Sequence, residues 1–142
     1  MLFRSLFTDT GSSSTDHITS NGTLTIGGTE SGATVEYSTD GTTWTSSYTP
    51  TSGNNTVEVR QTDVAGNVSS ATSLTFTLDT TATAPTVSLF TDTGSSSTDH
   101  ITSNGTLTIG GTESGATVQY STDGGTNWTS SYTPTSDRKS VV

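Results

Sequence analysis

The run FTDTGSSSTDHITSNGTLTIGGTESGATV fills residues 7–35 and returns unchanged at residues 90–118. One sequence written twice argues for two copies of one small unit rather than a single fold threaded through 142 residues. Asp9 returns as Asp92, a period of 83 residues, and the period grows by one after Gly125, which is extra in STDGGTNW compared with STDGTTW. Such a period is too long for a solenoid turn and suits a small β-sandwich domain in a tandem array.

Composition alone points elsewhere. Leu, Ile, Val and Phe number 24 of 142 residues, under the one-fifth level below which a chain struggles to bury enough apolar surface to fold. Their arrangement favours folding all the same, because the few apolar residues alternate with threonine in TLTIG, TVEY, TVEV and LTFTL. Alternation of period two with β-branched partners marks strands that bury one face and wet the other.

In the first copy this alternation predicts strands near residues 6–8, 23–29, 33–39, 42–48, 56–62 and 72–79, separated by SNG, ESG, TDG, TSGNN and DVAGN. Asp40-Gly41 predicts a tight type I′ hairpin, since both central positions of that turn need positive φ. The predicted class is all-β: tandem immunoglobulin-like β-sandwiches, the second truncated. Residues 6–80 form the complete repeat, residues 81–86 a linker stiffened by Pro85, and residues 87–136 a second repeat without its last two strands, because TSDRKSVV stands where TSGNNTVEV is due.

Both ends read as foreign. Residues 1–5 are the translation of GTG CTC TTC CGA TCT with a GTG start, and residues 137–142 that of GAT CGG AAG AGC GTC GTG before a stop, which are the ends of common sequencing adapters. The expectation is that residues 6–136 are a window on a longer repetitive chain. Without those ends Arg60 is the only Lys or Arg, against 12 acidic residues. Such an acidic surface repels nucleic acid phosphates, and no apolar run is long enough to cross a bilayer as a helix. The chain has no cysteine, so any cross-link must be something other than a disulfide.

The motifs D-T-G…D-x-I-T, Y-S-x-D-G-x-x-W, T-D-x-A-G-N-x-S and L-D-T-T-x-x-A-P together resemble the bacterial immunoglobulin-like tandem repeats of giant biofilm-associated, type I-secreted (RTX-type) surface adhesins. The resemblance covers residues 6–136. It implies a non-enzymatic stalk segment at the bacterial cell surface, supporting adhesion and biofilm formation. Its partners are the neighbouring repeats of the same chain, and other parts of the parent protein contact the host or abiotic surface. It also implies structural calcium at the repeats or their junctions.

The loops offer oxygen ligands of the kind calcium takes. An immunoglobulin-like topology puts Asp9, Asp16 and Asp79 at one pole and Asp63 and Asn67 at the other, beside Glu30; Asp92 and Asp99 repeat Asp9 and Asp16. Converging carboxylates without a basic neighbour repel one another, and a hard cation relieves the repulsion. The plainer reading is that Asp and Asn in TDTG, STDG and DVAGN set turns through their backbone amides, Asp40 and Asp123 above all.

Rival readings are weaker. Asp16-His17 near Ser12–Ser14 contains the residue types of a hydrolytic triad, but on a polar loop it lacks the fixed geometry that chemistry needs. Trp44 and Trp128 suggest a carbohydrate- or protein-binding module as the alternative function, although a lone tryptophan on a hairpin more often packs.

Overall fold

The structure is a computed structural model that describes residues 3–6 and 8–136. It is all-β, with no helix among the described residues. Two compact units divide between Thr81 and Ala82, within the expected linker. The readings of Met1, Leu2 and residues 137–142 as foreign lie outside the described residues.

In the first unit, β1 (Phe3–Leu6) pairs antiparallel with β3 (Leu24–Gly27), from Phe3 opposite Gly27 to Leu6 opposite Leu24. A second sheet has the order β2-β6-β5-β4, with β2 (Ile18–Thr19), β4 (Thr34–Ser38), β5 (Gly53–Thr62) and β6 (Thr72–Leu78). Only the β2–β6 pairing is parallel. Strand β5 carries the period-two signal most fully, burying Asn55, Val57, Val59 and Gln61 in alternation.

Val57, Val59 and Phe76 form the buried centre. Leu6, Leu24 and Ile26 from the first sheet pack onto it, as do Val35, Tyr37, Tyr48, Leu74 and Leu78. Apolar residues are scarce, so this centre is small and polar groups finish it. Asn55, 7% exposed, accepts from Tyr48 Oη and Thr51 N and donates through Nδ2 to Thr51 O and Gly53 O. Its full hydrogen-bonding capacity is used where an unmet group would be costly.

Three expectations are corrected. Residues 42–48 make no strand and meet β4 only through the Tyr37–Thr45 bridge. Asp40-Gly41 is no type I′ turn, because Gly41 alone has positive φ, 72°; the connection is a wider loop in which Asp40 Oδ1 accepts from Ser38 Oγ, Thr42 N and Thr43 N. That carboxylate replaces the hairpin ladder as the partner of the loop amides. The first strand is β1 at Phe3–Leu6 rather than residues 6–8, and β2 falls where the sequence pattern predicts only loop.

The second unit repeats the first pair only. β7 (Thr86–Leu89) pairs with β8 (Leu107–Gly110), Thr86 opposite Gly110 through Leu89 opposite Leu107. None of its described residues is fully buried. Residues 117–121 repeat β4 except for Gln119 in place of Glu36, yet they form no strand beyond a bridge from Tyr120 to Thr129. Ile101 and Thr102 repeat β2 without becoming one. Nearly the same residues are therefore strand beside β5 and β6 and irregular without them, which locates the cause in cross-strand pairing and not in intrinsic propensity.

Candidate functional site

The duplicated loop, residues 8–22 and 91–105, is the feature both units build. Thr19, 1% exposed, is its pivot. Its Oγ1 accepts from Thr10 N at 3.3 Å and Asn21 N at 3.0 Å, and lies 3.0 Å from Thr8 O, to which it donates. Thr10 Oγ1 accepts from Ser20 N at 2.7 Å. A hydroxyl both donates and accepts, so two threonines satisfy amides and a carbonyl that a loop crossing the end of a sheet leaves unmet.

Asp9 and Asp16 fix the tip. Asp9 Oδ2 accepts from His17 N at 3.0 Å, and Asp16 Oδ1 from Ile18 N at 3.0 Å. The second is an Asx turn, a side chain bonding the amide two residues on. His17 takes φ 59°, a left-handed conformation uncommon outside glycine and asparagine, which these amide contacts hold in place. Asp9 Oδ1 is buried without a hydrogen-bond partner.

The second unit reproduces every part. Thr102 takes the role of Thr19, His100 N donates to Asp92 Oδ2 at 2.9 Å, Ile101 N donates to Asp99 Oδ1 at 3.0 Å, and His100 has φ 59°. Asp92 Oδ1 is likewise buried and unpartnered. Because the second unit lacks a strand beside Ile101 and Thr102, the loop does not need β6 to form.

Asp79 joins this end of the unit through the backbone, its N–H donating to Thr19 O at 2.9 Å, while its Oδ1 accepts from Thr81 N at 3.2 Å. It follows Leu78, the partner of Thr19, and so lies at the far end of β2 from Asp16. Asp63 and Asn67 sit beyond Thr62 at the opposite end of β5 from the Gly53–Leu78 pair. There Asn67 N and Nδ2 each donate to Asp63 at 2.8 Å, occupying both its oxygens. These bonds from Asn67 lower the Asp63 pKa. Glu30 shares that end, its N–H bonded to Gln61 Oε1, and the same loop brings Gly32 against Val64.

Among the described residues no group of three or more His, Asp or Glu side chains converges as a metal site. The residues fit a cation in part: Asp9 and Asp92 each offer a dry, unpaired oxygen, whereas Asp63 is spent on its own turn. Ring contacts are also settled at Trp44, whose face is covered by the Arg60 guanidinium at 4.0 Å. The sequence pattern of Arg60 on an alternating strand carried no signal for that stack. Nor did it mark Thr19 as the buried pivot, since threonine alternates throughout.

A stacked pair, Tyr37 and Tyr48, lines an open cleft of about 490 Å³ with Gly22, Leu24, Ser47 and Pro50. Tyr120 and Tyr132 line a cleft of about 450 Å³ in the second unit. Comparison with family models, with curated proteins and with solved structures finds no match. What the fold and the loop define together is an all-β chain whose first unit faces two sheets across one small centre, and whose second unit repeats the loop and the smaller sheet.

Proposed function

We propose that this chain is a stalk segment of a bacterial cell-surface adhesin, built from immunoglobulin-like β-sandwich repeats and stiffened by calcium at the ends of the units. The observation that supports it is the loop made twice in the same way, each time with a buried aspartate oxygen lacking a proton donor. An anionic oxygen held dry gains most from a hard cation, and Asp9 and Asp92 would be its first ligands, with Asp16 or Asp99, backbone carbonyls and water completing the six to eight oxygens calcium takes. Asp79 stands at the same end of its unit and Asp63 with Asn67 at the other. An array of this kind serves as a spacer: its polar faces keep neighbours apart while bound ions limit bending at segments such as residues 80–86.

The test is thermal melting of a protein carrying complete repeats in tandem, in calcium and in chelator. Ligand bound only by the folded form stabilises by about 2.7 kcal/mol at 100 times its Kd, so the calcium midpoint is expected several degrees higher. Superimposable transitions would remove the ion from the account. The alternative, a carbohydrate- or protein-binding module, draws on the tyrosine-lined clefts rather than on Trp44, whose ring face Arg60 occupies. A glycan array on the intact chain separates the two, since a spacer gives no signal.

A further inference from the structure

We propose that the second unit is an acceptor for a β-hairpin of the sequence Gly53–Leu78, supplied in trans by another chain bearing this repeat. The first unit displays the occupant in place. There β5 pairs with β4 from Thr34–Thr62 to Ser38–Glu58, β6 pairs with β2, and Val57, Val59 and Phe76 fill the space under Leu6, Leu24, Ile26, Val35, Tyr37 and Tyr48. The second unit holds the counterparts of all six, Leu89, Leu107, Ile109, Val118, Tyr120 and Tyr132, and the chain contains no second copy of TVEVRQT or TSLTFTL.

The exposed groups match the missing ones. Trp128 is 57% exposed, whereas its counterpart Trp44 is half-buried under Arg60 of β5. Tyr132 is exposed, whereas its counterpart Tyr48 is half-buried and bonds Asn55 of the same strand. Residues 117–121 form no ladder, leaving amide and carbonyl groups of the β4 counterpart open for the β5 pairing. A strand edge flanked by apolar side chains is the arrangement that strand addition uses, with main-chain bonds for affinity and alternate side chains for register.

The clefts of the two units are framed alike. A Cβ placed on Gly22 would lie 2.5 Å from Pro50, and one on Gly105 would lie 2.5 Å from Pro134. The acceptor segment therefore arches over the same glycine in both units and needs no rebuilding to receive the hairpin. One difference weakens the fit: Gln119 stands where Glu36 pairs with Arg60. The incoming arginine would stack on Trp128 without an ionic partner. A chain in which the repeat runs on supplies the hairpin in cis; this one takes it in trans. Its own hairpin is committed to the first unit, whose centre is made of it.

The experiment uses the full chain and a synthetic peptide of residues 51–80. In a Trp44→Phe variant, Trp128 is the lone tryptophan, and added peptide is expected to shift its emission to the blue, saturating at one peptide per chain. Hydrogen exchange on the unaltered chain is the second reading, with amides of residues 117–121 expected to slow by about tenfold or more and those of the first unit unchanged. A peptide carrying Phe76→Asp is expected to do neither. Unshifted emission with unslowed exchange would overturn the proposal, and so would equal binding by the Phe76→Asp peptide.

Discussion

The guanidinium carbon of Arg60 lies 4.0 Å from the centre of the Trp44 ring, and its Nε donates to Glu36 Oε2 at 2.9 Å. One side chain thus ties β5 both to β4 and to the loop that follows it. The pair is about a quarter exposed on each side, 26% and 27%, so water screens it and the ionic part contributes little. Glu36→Gln is therefore expected to cost under about 1 kcal/mol in urea unfolding. Arg60→Ala also uncovers Trp44 and is expected to cost about 1–2 kcal/mol, with the Trp44 emission moving to the red. Equal losses from the two variants would show that the ring contact contributes nothing.

Asn55 supports a sharper expectation. It fills a core position on β5 with four hydrogen bonds, two given and two taken. Asn55→Ala leaves the Tyr48 hydroxyl, an amide and two carbonyls without their partner, and is expected to cost about 2–3 kcal/mol. Asn55→Asp retains the acceptors but loses both donors, and brings a charge into a buried site. It should be no milder. Guanidinium or urea titration followed by far-UV circular dichroism measures both, and an Asn55→Asp variant as stable as the parent would contradict this assignment.

The legible and illegible parts of the chain divide along one physical line. Residues 56–62 and 72–78 are readable as strands because threonine and an apolar residue alternate there and the burial follows that alternation. Residues 42–48 carry the same composition but belong to a loop, since Asp40 satisfies the amides that a hairpin would have paired. Ile18–Thr19 is unreadable as a strand because two residues show no period, and the pairing comes from β6, about sixty residues on. The identical Ile101–Thr102 makes the same point by staying irregular. At the candidate site the acidic residues are visible in the sequence, while their grouping is not. The duplicated loop's carboxylates bond backbone amides, and which oxygen is left dry depends on the left-handed turn at His17.

Loop carboxylates also set the acid response. Asp40 is held below its ordinary value of 3.8 by the Thr43 and Thr42 amides, and Asp123 is lowered to about 2, chiefly by the Asn127 amide. A carboxylate with a depressed pKa in the folded chain contributes stability that is complete above the unfolded value and fades as pH falls through the folded one. The melting midpoint is therefore expected to hold level from neutral pH to about 5, and to fall from about 4 downward. Asp40→Asn removes one of these titrating groups and should flatten the acid limb of the first unit. An Asp40→Asn profile parallel to the parent's between about pH 4 and 2 would refute the role given to Asp40.

The last expectation concerns β1. Arg4 stands opposite Ile26 where the second unit has Val87 opposite Ile109, and Arg4 Nε is buried without a hydrogen-bond partner. Burial also lowers its pKa, the sign of a cation kept from water. Valine suits a pleated surface better than a guanidinium does, and it removes a donor left unmet. Arg4→Val is expected to raise unfolding stability by about 1 kcal/mol, measured by urea titration of the full chain. Arg4→Lys, which keeps a cation on a flexible stem, should gain less, because its ammonium can still reach water. If Arg4→Val were instead destabilising, the aliphatic stem of Arg4 would be packing on the sheet more productively than its unmet Nε costs.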